Sequence, residues 1–255
     1  LSYSIVTANT AILAVGVGQA FSLTTGIDAI VATSNDDTIS AGEIAAVNSW
    51  TVGDTVNGGA GNDTINIVDT AAITLPTAAT LTSVEQVNVT AGTTVVLDTT
   101  TFSGVTGLTS VAVGGTTLTA AATTAIIASE ADAAADAQAI VIDGGSTVAV
   151  TSTNNALDTI TIGGTTAAAG AVTVNSASTT ATGAKTQGAI TVDGGTVITV
   201  NQTAANLANT GTATTAGAVD INGNASTTTV TVTDTAAQTG VTATVNVVGT
   251  SGRVN

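Results

Sequence analysis

Nine residues at positions 58–66 decide the interpretation of the whole chain: Gly58-Gly59-Ala60-Gly61-Asn62-Asp63-Thr64-Ile65-Asn66. They match the repeat pattern G-G-x-G-x-D-x-U-x, where U is a large aliphatic residue, at every defined position. The glycines allow the positive φ angles of a tight turn whose carbonyls face inward. The aspartate adds a carboxylate, and the aliphatic residue points into a core from a short strand. The stretch therefore predicts a turn of a stacked β-structure with oxygen ligands that suit Ca²⁺.

The nine-residue register extends to neighbouring segments. Asp54 lies nine residues before Asp63, and Asp28 and Asp37 are also nine residues apart. Each of these aspartates has an aliphatic residue two positions later. Residues 23–31, 32–40, 49–57 and 58–66 are therefore predicted to form four turns in two tandem pairs, separated by an insert at 41–48.

The candidate calcium ligands are the four aspartates together with the glycines of the complete repeat: Asp28, Asp37, Asp54, Gly58, Gly59, Gly61 and Asp63. In the alternative interpretation, aspartate occurs in such turns only because its side chain accepts hydrogen bonds from nearby backbone N–H groups. We interpret Asp63 as a calcium ligand, and for the other three aspartates both roles stay open. Asp143 and Asp193 each precede a Gly-Gly pair and are interpreted as turn residues.

From about residue 67 onwards, strand-like runs recur between Gly, Asn and Asp residues. Residues 84–89 and 108–113 align at an offset of 24, residues 139–145 and 189–195 at 50, and residues 170–175 and 217–222 at 47. These offsets indicate coils of roughly 24 residues that bury their apolar face on one another. A β-sandwich of hairpins is the alternative, because Asp-Gly-Gly also suits hairpin turns. The Ala-rich segment 120–139 is predicted to be a short helix or a surface loop.

We therefore predict an all-β chain that forms a right-handed parallel β-helix, or β-solenoid, with a short calcium-binding β-roll near its N-terminal part. Residues 1–22 would be N-terminal strands or a connector, residues 23–66 the calcium-binding turns, and residues 67–255 a Thr/Val/Gly-rich solenoid. The chain has no initiator Met and no cleavable signal at its start, so we interpret it as a segment of a longer polypeptide.

The charge and the missing residue types argue against several classes of function. Two basic residues stand against seventeen acidic ones, for a formal charge of −15. This charge argues against binding to nucleic acid, because no cationic patch exists to neutralise phosphates, and against attachment to an anionic membrane. No run of residues is long and apolar enough to insert into a membrane as a helix. The sequence contains no Cys and no His, which excludes thiol nucleophiles, Ser-His-Asp triads and ordinary zinc sites.

The sequence resembles the RTX-type S-layer proteins of Gram-negative bacteria and related large repetitive surface proteins. The resemblance rests on the nonapeptide at 58–66, on the degenerate repeats within residues 23–39, and on the strand repeats at 81–90 and 107–111. It implies secretion by the type I route, folding triggered by calcium outside the cell, and assembly into a lattice. Long tandem arrays of nonapeptides, which that family uses, do not occur in this chain.

The expected function is a structural, non-enzymatic one: a secreted subunit of an S-layer or filament at the bacterial cell surface, self-associating and stabilised by Ca²⁺. The alternative is a calcium-dependent adhesin or biofilm-matrix protein that binds a cell-surface polysaccharide. A polysaccharide lyase on a β-helix is a third alternative, disfavoured by the lack of His and by the two basic residues. The single tryptophan, Trp50, is expected in the core or in a turn rather than stacked on a sugar.

Overall fold

The computed structural model describes residues 16–76, 78–131, 138–153, 157–180, 186–206, 215–236, 245–248 and 253–254. The chain is all-β, and its parallel strands stack as a β-solenoid of about seven turns that matches a right-handed parallel β-helix. This confirms the predicted fold class. The alternative, a β-sandwich, would need antiparallel sheets, whereas one pair alone among the described strand pairs, within a short hairpin, is antiparallel.

Short strands account for all the regular structure in the described ranges. The first nine are β1 Ala20–Ser22, β2 Ala29–Val31, β3 Thr38–Ile44, β4 Val47–Asn48, β5 Thr55–Asn57, β6 Thr64–Asp69, β7 Ile73–Thr74, β8 Thr80–Thr82 and β9 Gln86–Ala91. The next seven are β10 Val95–Asp98, β11 Gly107–Ala112, β12 Thr116–Ala120, β13 Ala125–Glu130, β14 Ala139–Gly144, β15 Thr147–Thr153 and β16 Thr159–Ile162. The last seven are β17 Val172–Thr180, β18 Ile190–Asp193, β19 Val197–Asn206, β20 Val219–Asn222, β21 Thr229–Ala236, β22 Val245–Val248 and β23 Arg253–Val254.

Two compact units make up the chain. Unit 1 comprises Leu1–Val68, Pro76–Asn88 and Phe102–Val105, and unit 2 comprises Asp69–Leu75, Val89–Thr101 and Thr106–Asn255, each described within the ranges given above. In unit 1, β1, β3 and β6 form one parallel sheet in that order, and β2, β5 and β8 form a second. The first nonapeptide pair thus supplies β2 and β3, and the second pair supplies β5 and β6.

Unit 2 alternates between two parallel sheets. Strands β11, β13, β15, β17, β19, β21 and β23 follow one another in one sheet, and β7, β10, β12, β14, β16, β18, β20 and β22 follow one another in the other. Each coil therefore gives one strand to each sheet. Val and Ile residues point inward at every second position, as the pleat requires, and stack in register, for example Ile140 on Ile160 on Ile190 on Val219.

One of the predicted internal alignments is confirmed by the register. Ile140 pairs with Ile160, and Ile160 pairs with Ile190, so the predicted alignment of residues 139–145 with 189–195 spans two coils of unequal length. Coil length therefore varies around the predicted value instead of repeating at a fixed period.

The other two alignments are wrong. Val87 is buried, whereas Val111, at the aligned position, is 44% exposed. The burial pattern of β9 recurs in β11 in a different alignment, in which Leu108 and not Val111 is the equivalent of Val87. The alignment of residues 170–175 with 217–222 matches residues of different sheets, because Val172 pairs with Ile198 while Val219 pairs with Ile190.

The prediction of a helix or loop for residues 120–139 is wrong for residues 125–130, which form a strand, whereas residues 121–124 form a turn. Ala120 ends β12, residues 125–130 form β13, and residues 132–137 lie outside the described part. In β13 the side chains of Ile126 and Ala128 are buried, and the strand lies between β11 and β15. Burial between two neighbouring strands outweighs the helix propensity of alanine.

The insert at 41–48 folds as the one antiparallel hairpin of the described strands. It joins β3 to β4 through Ala45 and Ala46, whose φ angles are 50° and 63°. Two positive φ angles in a two-residue loop define a type I′ turn, which strongly favours Asn-Gly. Alanine at such positions is strained by its Cβ atom.

We expect the double substitution Ala45→Asn and Ala46→Gly to stabilise the protein by about 1 kcal/mol, because it relieves this strain. The thermal midpoint should rise by about 2–4 °C. The matched control is Ala71→Gly, at an exposed alanine without a positive φ angle, which should leave the midpoint unchanged or lower it. An unchanged midpoint in the double variant would contradict the type I′ turn.

Candidate metal-binding site

The two nonapeptide pairs lie on top of each other in unit 1. Ala29 of β2 pairs with Thr55 of β5, and Thr38 of β3 pairs with Thr64 of β6. Both pairings have the same offset, which equals two nonapeptides plus the hairpin insert at 41–48. The two aspartates of one nonapeptide pair therefore lie in the same coil, and aspartates at corresponding positions of the two pairs lie in adjacent coils.

Asp37, Asp63 and Glu85 form a ladder of carboxylates through three successive coils, which we call the carboxylate ladder. The backbone N–H of Asp37 donates to Oδ1 of Asp63 at 2.7 Å, and the backbone N–H of Asp63 donates to Oε2 of Glu85 at 2.7 Å. Asp37 in turn accepts hydrogen bonds from the backbone N–H groups of Gln19 and Thr33. Each carboxylate thus binds the backbone of the coil before it.

Asp63 has a buried oxygen without a hydrogen-bond partner. Its side chain is fully buried, and Oδ2 makes no hydrogen bond. Burial raises the pKa of the Asp63 carboxyl above its ordinary value, and the charges of Asp37, Glu85 and Asp36 raise it further, against the lowering effect of the hydrogen bond from Asp37 N–H. A buried carboxylate beside other carboxylates gains from a bound cation.

The lack of a side chain at Gly58 leaves room for Oδ2 of Asp63. A Cβ atom at position 58 would lie 2.5 Å from Asp63 Oδ2 and would overlap the carbonyl oxygen of Ser83. Gly58 is therefore required for close approach of the next coil. Gly59, at φ +95°, and Gly61, at φ +129°, have positive φ angles, and a Cβ atom on either would overlap the backbone at Thr33 or Asn35 of the preceding coil.

Asp28 and Asp54 form a second, shorter pair in adjacent coils. Asp28 accepts hydrogen bonds from the N–H and hydroxyl groups of Thr24. Asp54 accepts from Asp28 N–H through Oδ1 at 2.8 Å and from Thr51 N–H through Oδ2 at 2.6 Å. With both carboxylate oxygens of Asp54 bonded to backbone N–H groups, this pair fits the turn-stabilising role of aspartate.

Glu85 is the ladder residue that the sequence interpretation missed. It follows no glycine turn, and its distance from Asp63 along the chain does not fit the nine-residue register. The sequence did contain a weaker signal. An aliphatic residue, Val87, follows Glu85 by two positions, just as Ile65 follows Asp63. In the structure Glu85 and Val87 take the same places before and in β9 as Asp63 and Ile65 take before and in β6.

Within the ladder, Asp63 fits a cation better than Asp37 does. Asp63 offers a buried oxygen without a partner beside a glycine, whereas both oxygens of Asp37 already accept backbone N–H groups. The same is true of both oxygens of Asp54 in the second pair. Across the described ranges, no three acidic side chains converge on one point as a metal cage. An ion at Asp63 would therefore need backbone carbonyls or water to complete its six to eight oxygen ligands.

Asp143, Asp193 and Trp50, which the sequence analysis also named, contact other residues of the protein or lie in its core. Oδ1 of Asp143 accepts hydrogen bonds from the backbone N–H groups of Thr165 and Thr166, at 2.7 and 3.1 Å. Asp193 Oδ1 accepts one from the amide of Asn222 at 2.7 Å. Trp50 is buried. Both aspartates lie near the ends of strands, β14 and β18, and these hydrogen bonds join adjacent coils instead of closing a local turn. Trp50 has the expected place in the core.

Comparisons with known proteins add no relative. No protein-family model matches the chain, and no curated protein is significantly similar to it. The residues that the structure describes include no helix long and apolar enough to cross a membrane.

Proposed function

We propose that this chain is a structural, non-enzymatic segment of a secreted bacterial assembly at the cell surface, either an S-layer or a filament, and that Ca²⁺ stabilises its coils. The observation that supports this most directly is the carboxylate ladder of unit 1, in which buried Asp63 keeps one oxygen without a partner. The resemblance of residues 58–66 to calcium-binding nonapeptides supports the choice of ion.

The ladder links calcium to folding. Without a cation, stacking Asp63 between Asp37 and Glu85 brings three acidic groups of adjacent coils together while one of them is desolvated. The unfolded chain separates these groups and hydrates them. An ion that binds the folded state alone stabilises that state by mass action. Low calcium inside a cell would therefore keep unit 1 weakly folded, and millimolar calcium outside would favour the stacked coils.

Self-association is proposed from the free strand edges of unit 1. In the described part of the chain, no strand pairs with the outer edge of β1 or of β2. Val31 in β2 is 74% exposed and Ile27, just before it, is 77% exposed. An unpaired strand edge beside exposed aliphatic side chains is a template for pairing with another chain, and a second copy of this chain is the proposed partner.

Electron microscopy of the purified protein tests the assembly directly. Negatively stained samples in millimolar calcium should contain sheets or fibres, and the same samples treated with chelator should contain dispersed particles. Dispersed particles under both conditions would overturn self-assembly. A calcium-dependent signal on a glycan array would then favour the adhesin or matrix alternative, for which a cell-surface polysaccharide is the partner.

We expect Asp63→Asn to weaken calcium binding in unit 1 by at least tenfold. The amide keeps an oxygen to accept the Asp37 N–H but removes the negative charge from the buried position. The measurement is a calcium titration followed by the fluorescence of Trp50, which is buried in unit 1.

The matched control is Asp98→Asn, which removes the same charge from an exposed strand position in unit 2. It should leave the titration midpoint within a factor of two of the parent, as screened surface charges do. An unchanged midpoint for Asp63→Asn would remove Asp63 from the calcium site.

A further inference from the structure

A row of polar side chains runs through the interior of unit 2. Five inward-facing residues of successive coils are register partners, and we call them the polar row: Glu130, Ser152, Ser176, Gln202 and Asp234. The neighbouring inward row, two residues earlier in each strand, is aliphatic and buried at Ala128, Val150, Val174 and Val200. The polar row therefore differs from the aliphatic rows that make up most of this core.

One end of the polar row is satisfied within the protein. The hydroxyl of Ser152 donates to Oε2 of Glu130 at 2.7 Å, and both residues are buried. This pair shows that the interior at this level is lined by oxygen atoms close enough to bond across adjacent coils.

The other end is not satisfied by any described residue. Ser176 Oγ, both amide atoms of Gln202 and both carboxylate oxygens of Asp234 are buried without a hydrogen-bond partner. Gln202 is 1% exposed, so its amide cannot reach bulk water. Burying a polar group without a hydrogen-bond partner lowers the stability of the folded state by about 1–3 kcal/mol. Five such atoms in three adjacent coils therefore point to a bound ligand that supplies the missing contacts.

Small side chains border this end of the row. Ser178, the next inward residue of β17, is fully buried, its hydroxyl is also without a partner, and its register partner in β19 is Ala204. Residues with such short side chains fill less of the interior than the Val and Ile residues of the neighbouring rows. The unpartnered atoms therefore lie next to short side chains in a polar part of the core.

The chemistry of these atoms selects a hard cation. Their oxygens belong to a carboxylate, an amide and hydroxyl groups, which are ligands that Ca²⁺ accepts. The remaining atom, Nε2 of Gln202, is a donor and can donate to a water molecule bound beside the ion. Mg²⁺ demands near-ideal octahedral geometry and keeps several of its water molecules, so a set of buried side chains of unequal length suits Ca²⁺ better.

We propose that the polar row contains a second calcium site, centred on Asp234 and completed by Gln202 of the adjacent coil and by water. Burial raises the pKa of the Asp234 carboxyl, as a desolvated carboxylate requires when no ion is bound. With one carboxylate in reach, the site has a low ligand charge, so its dissociation constant is expected near about 1 mM, in the range of extracellular calcium modules.

Four forms of the full chain test the proposal: the parent, Asp63→Asn, Asp234→Asn and the double variant. Each is stripped with chelator and titrated with CaCl₂ or MgCl₂ at constant ionic strength, with bound calcium measured by equilibrium dialysis and the thermal midpoint by circular dichroism. Asp63→Asn should keep a rise of about 3–6 °C at about 10 mM calcium, with a smaller rise in magnesium. Asp234→Asn should bind one calcium fewer than the parent, and the double variant should lose the rise.

The outcomes separate the two sites. If Asp63→Asn loses the entire calcium response, or Asp234→Asn binds as much calcium as the parent, the polar row is not a calcium site. An equal response to magnesium would also overturn it, in favour of charge screening. If instead Asp234→Asn alone loses the response, the polar row stands and the Asp63 site falls. Gln202→Leu, which keeps the Asp234 charge, should lower calcium affinity and serves if Asp234→Asn does not fold.

Discussion

Gly59→Ala should destabilise unit 1 by roughly 2–6 kcal/mol, because the new methyl group meets two obstacles at once. The φ angle of Gly59 is +95°, and the added Cβ atom would overlap the carbonyl oxygen of Thr33 in the preceding coil. A side chain held in a disfavoured φ region costs about 1–3 kcal/mol, and overpacking against a fixed neighbour costs about the same again. The backbone of Thr33 cannot yield easily, because Ala60 N–H also donates to its carbonyl.

Gly42→Ala is the matched control for this substitution. Gly42 lies in β3 of the same unit, has no positive φ angle, and a Cβ atom there would meet nothing within 4 Å. We expect its free energy of unfolding to stay within about 0.5 kcal/mol of the parent or to rise, since alanine restricts the unfolded chain. Urea unfolding followed by Trp50 fluorescence reports on unit 1 for both variants.

The calcium dependence of the loss distinguishes two roles for this glycine. A steric role predicts the same destabilisation with chelator and with calcium. A loss seen in calcium alone would mean that Gly59 acts by shaping an ion site, and would contradict the steric argument.

The fold was predictable because its two main signals are local. Inward Val and Ile residues at every second position, as in β14 and β18, indicate strands, and the recurrence of such runs between glycine turns indicates coils. The glycines of residues 58–66 predicted a tight turn, and the structure adds that the approach of adjacent coils leaves no room for a side chain at these positions.

The assignment of strands to sheets was not predictable from these signals. Both sheets of a β-helix carry the same alternation, so Val172 of β17 and Val219 of β20 look equivalent in sequence although they lie in different sheets. Coil length also varies, since Thr116 pairs with Ile140 whereas Ile140 pairs with Ile160, a shorter step along the chain. Loops absorb such differences at little energetic expense, and an alignment at a fixed period then fails.

The polar row could not be predicted from the sequence for a related reason. Around Gln202 the chain reads Asn201-Gln202-Thr203, three polar residues in succession, so no alternation distinguishes inside from outside. The register resolves this, because Gln202 lies two positions after the buried Val200 of the same strand. The partnership of Asp37 with Asp63 was hidden in the same way, since it depends on the hairpin insert lengthening one coil.

Asp63 and Asp234 together predict an unusual dependence of stability on pH. With calcium removed, the folded chain should become more stable as the pH falls through the raised folded pKa values of these two carboxyls. Burial raises the pKa of both carboxyls in the folded state above the ordinary value of 3.8. Between that value and the raised folded pKa, the folded state binds more protons than the unfolded state, so the free energy of unfolding falls as pH rises. The destabilisation is complete above the folded pKa and absent below about 3.8.

Each of the two carboxyls contributes at most about 1.4 kcal/mol per pH unit in that window, so the pair gives at most about 2.7. The measurement is urea unfolding between pH 7 and pH 4.5, with chelator and again with calcium near about 10 mM, well above the expected dissociation constant. Calcium should flatten the profile, because an ion on either carboxylate competes with the proton. The double variant Asp63→Asn and Asp234→Asn should be flat in both solutions.

General repulsion among the acidic residues is the competing explanation, since a chain with a formal charge of −15 is also relieved of charge as the pH falls. That repulsion is spread over many exposed groups and is screened by salt, whereas two buried carboxylates are screened much less. A profile as steep in the double variant as in the parent, and one that roughly 0.5 M NaCl abolishes, would assign the effect to the surface. A steep profile that persists in salt and disappears with the two substitutions would assign it to the interior, where the same two groups are proposed to hold the ions.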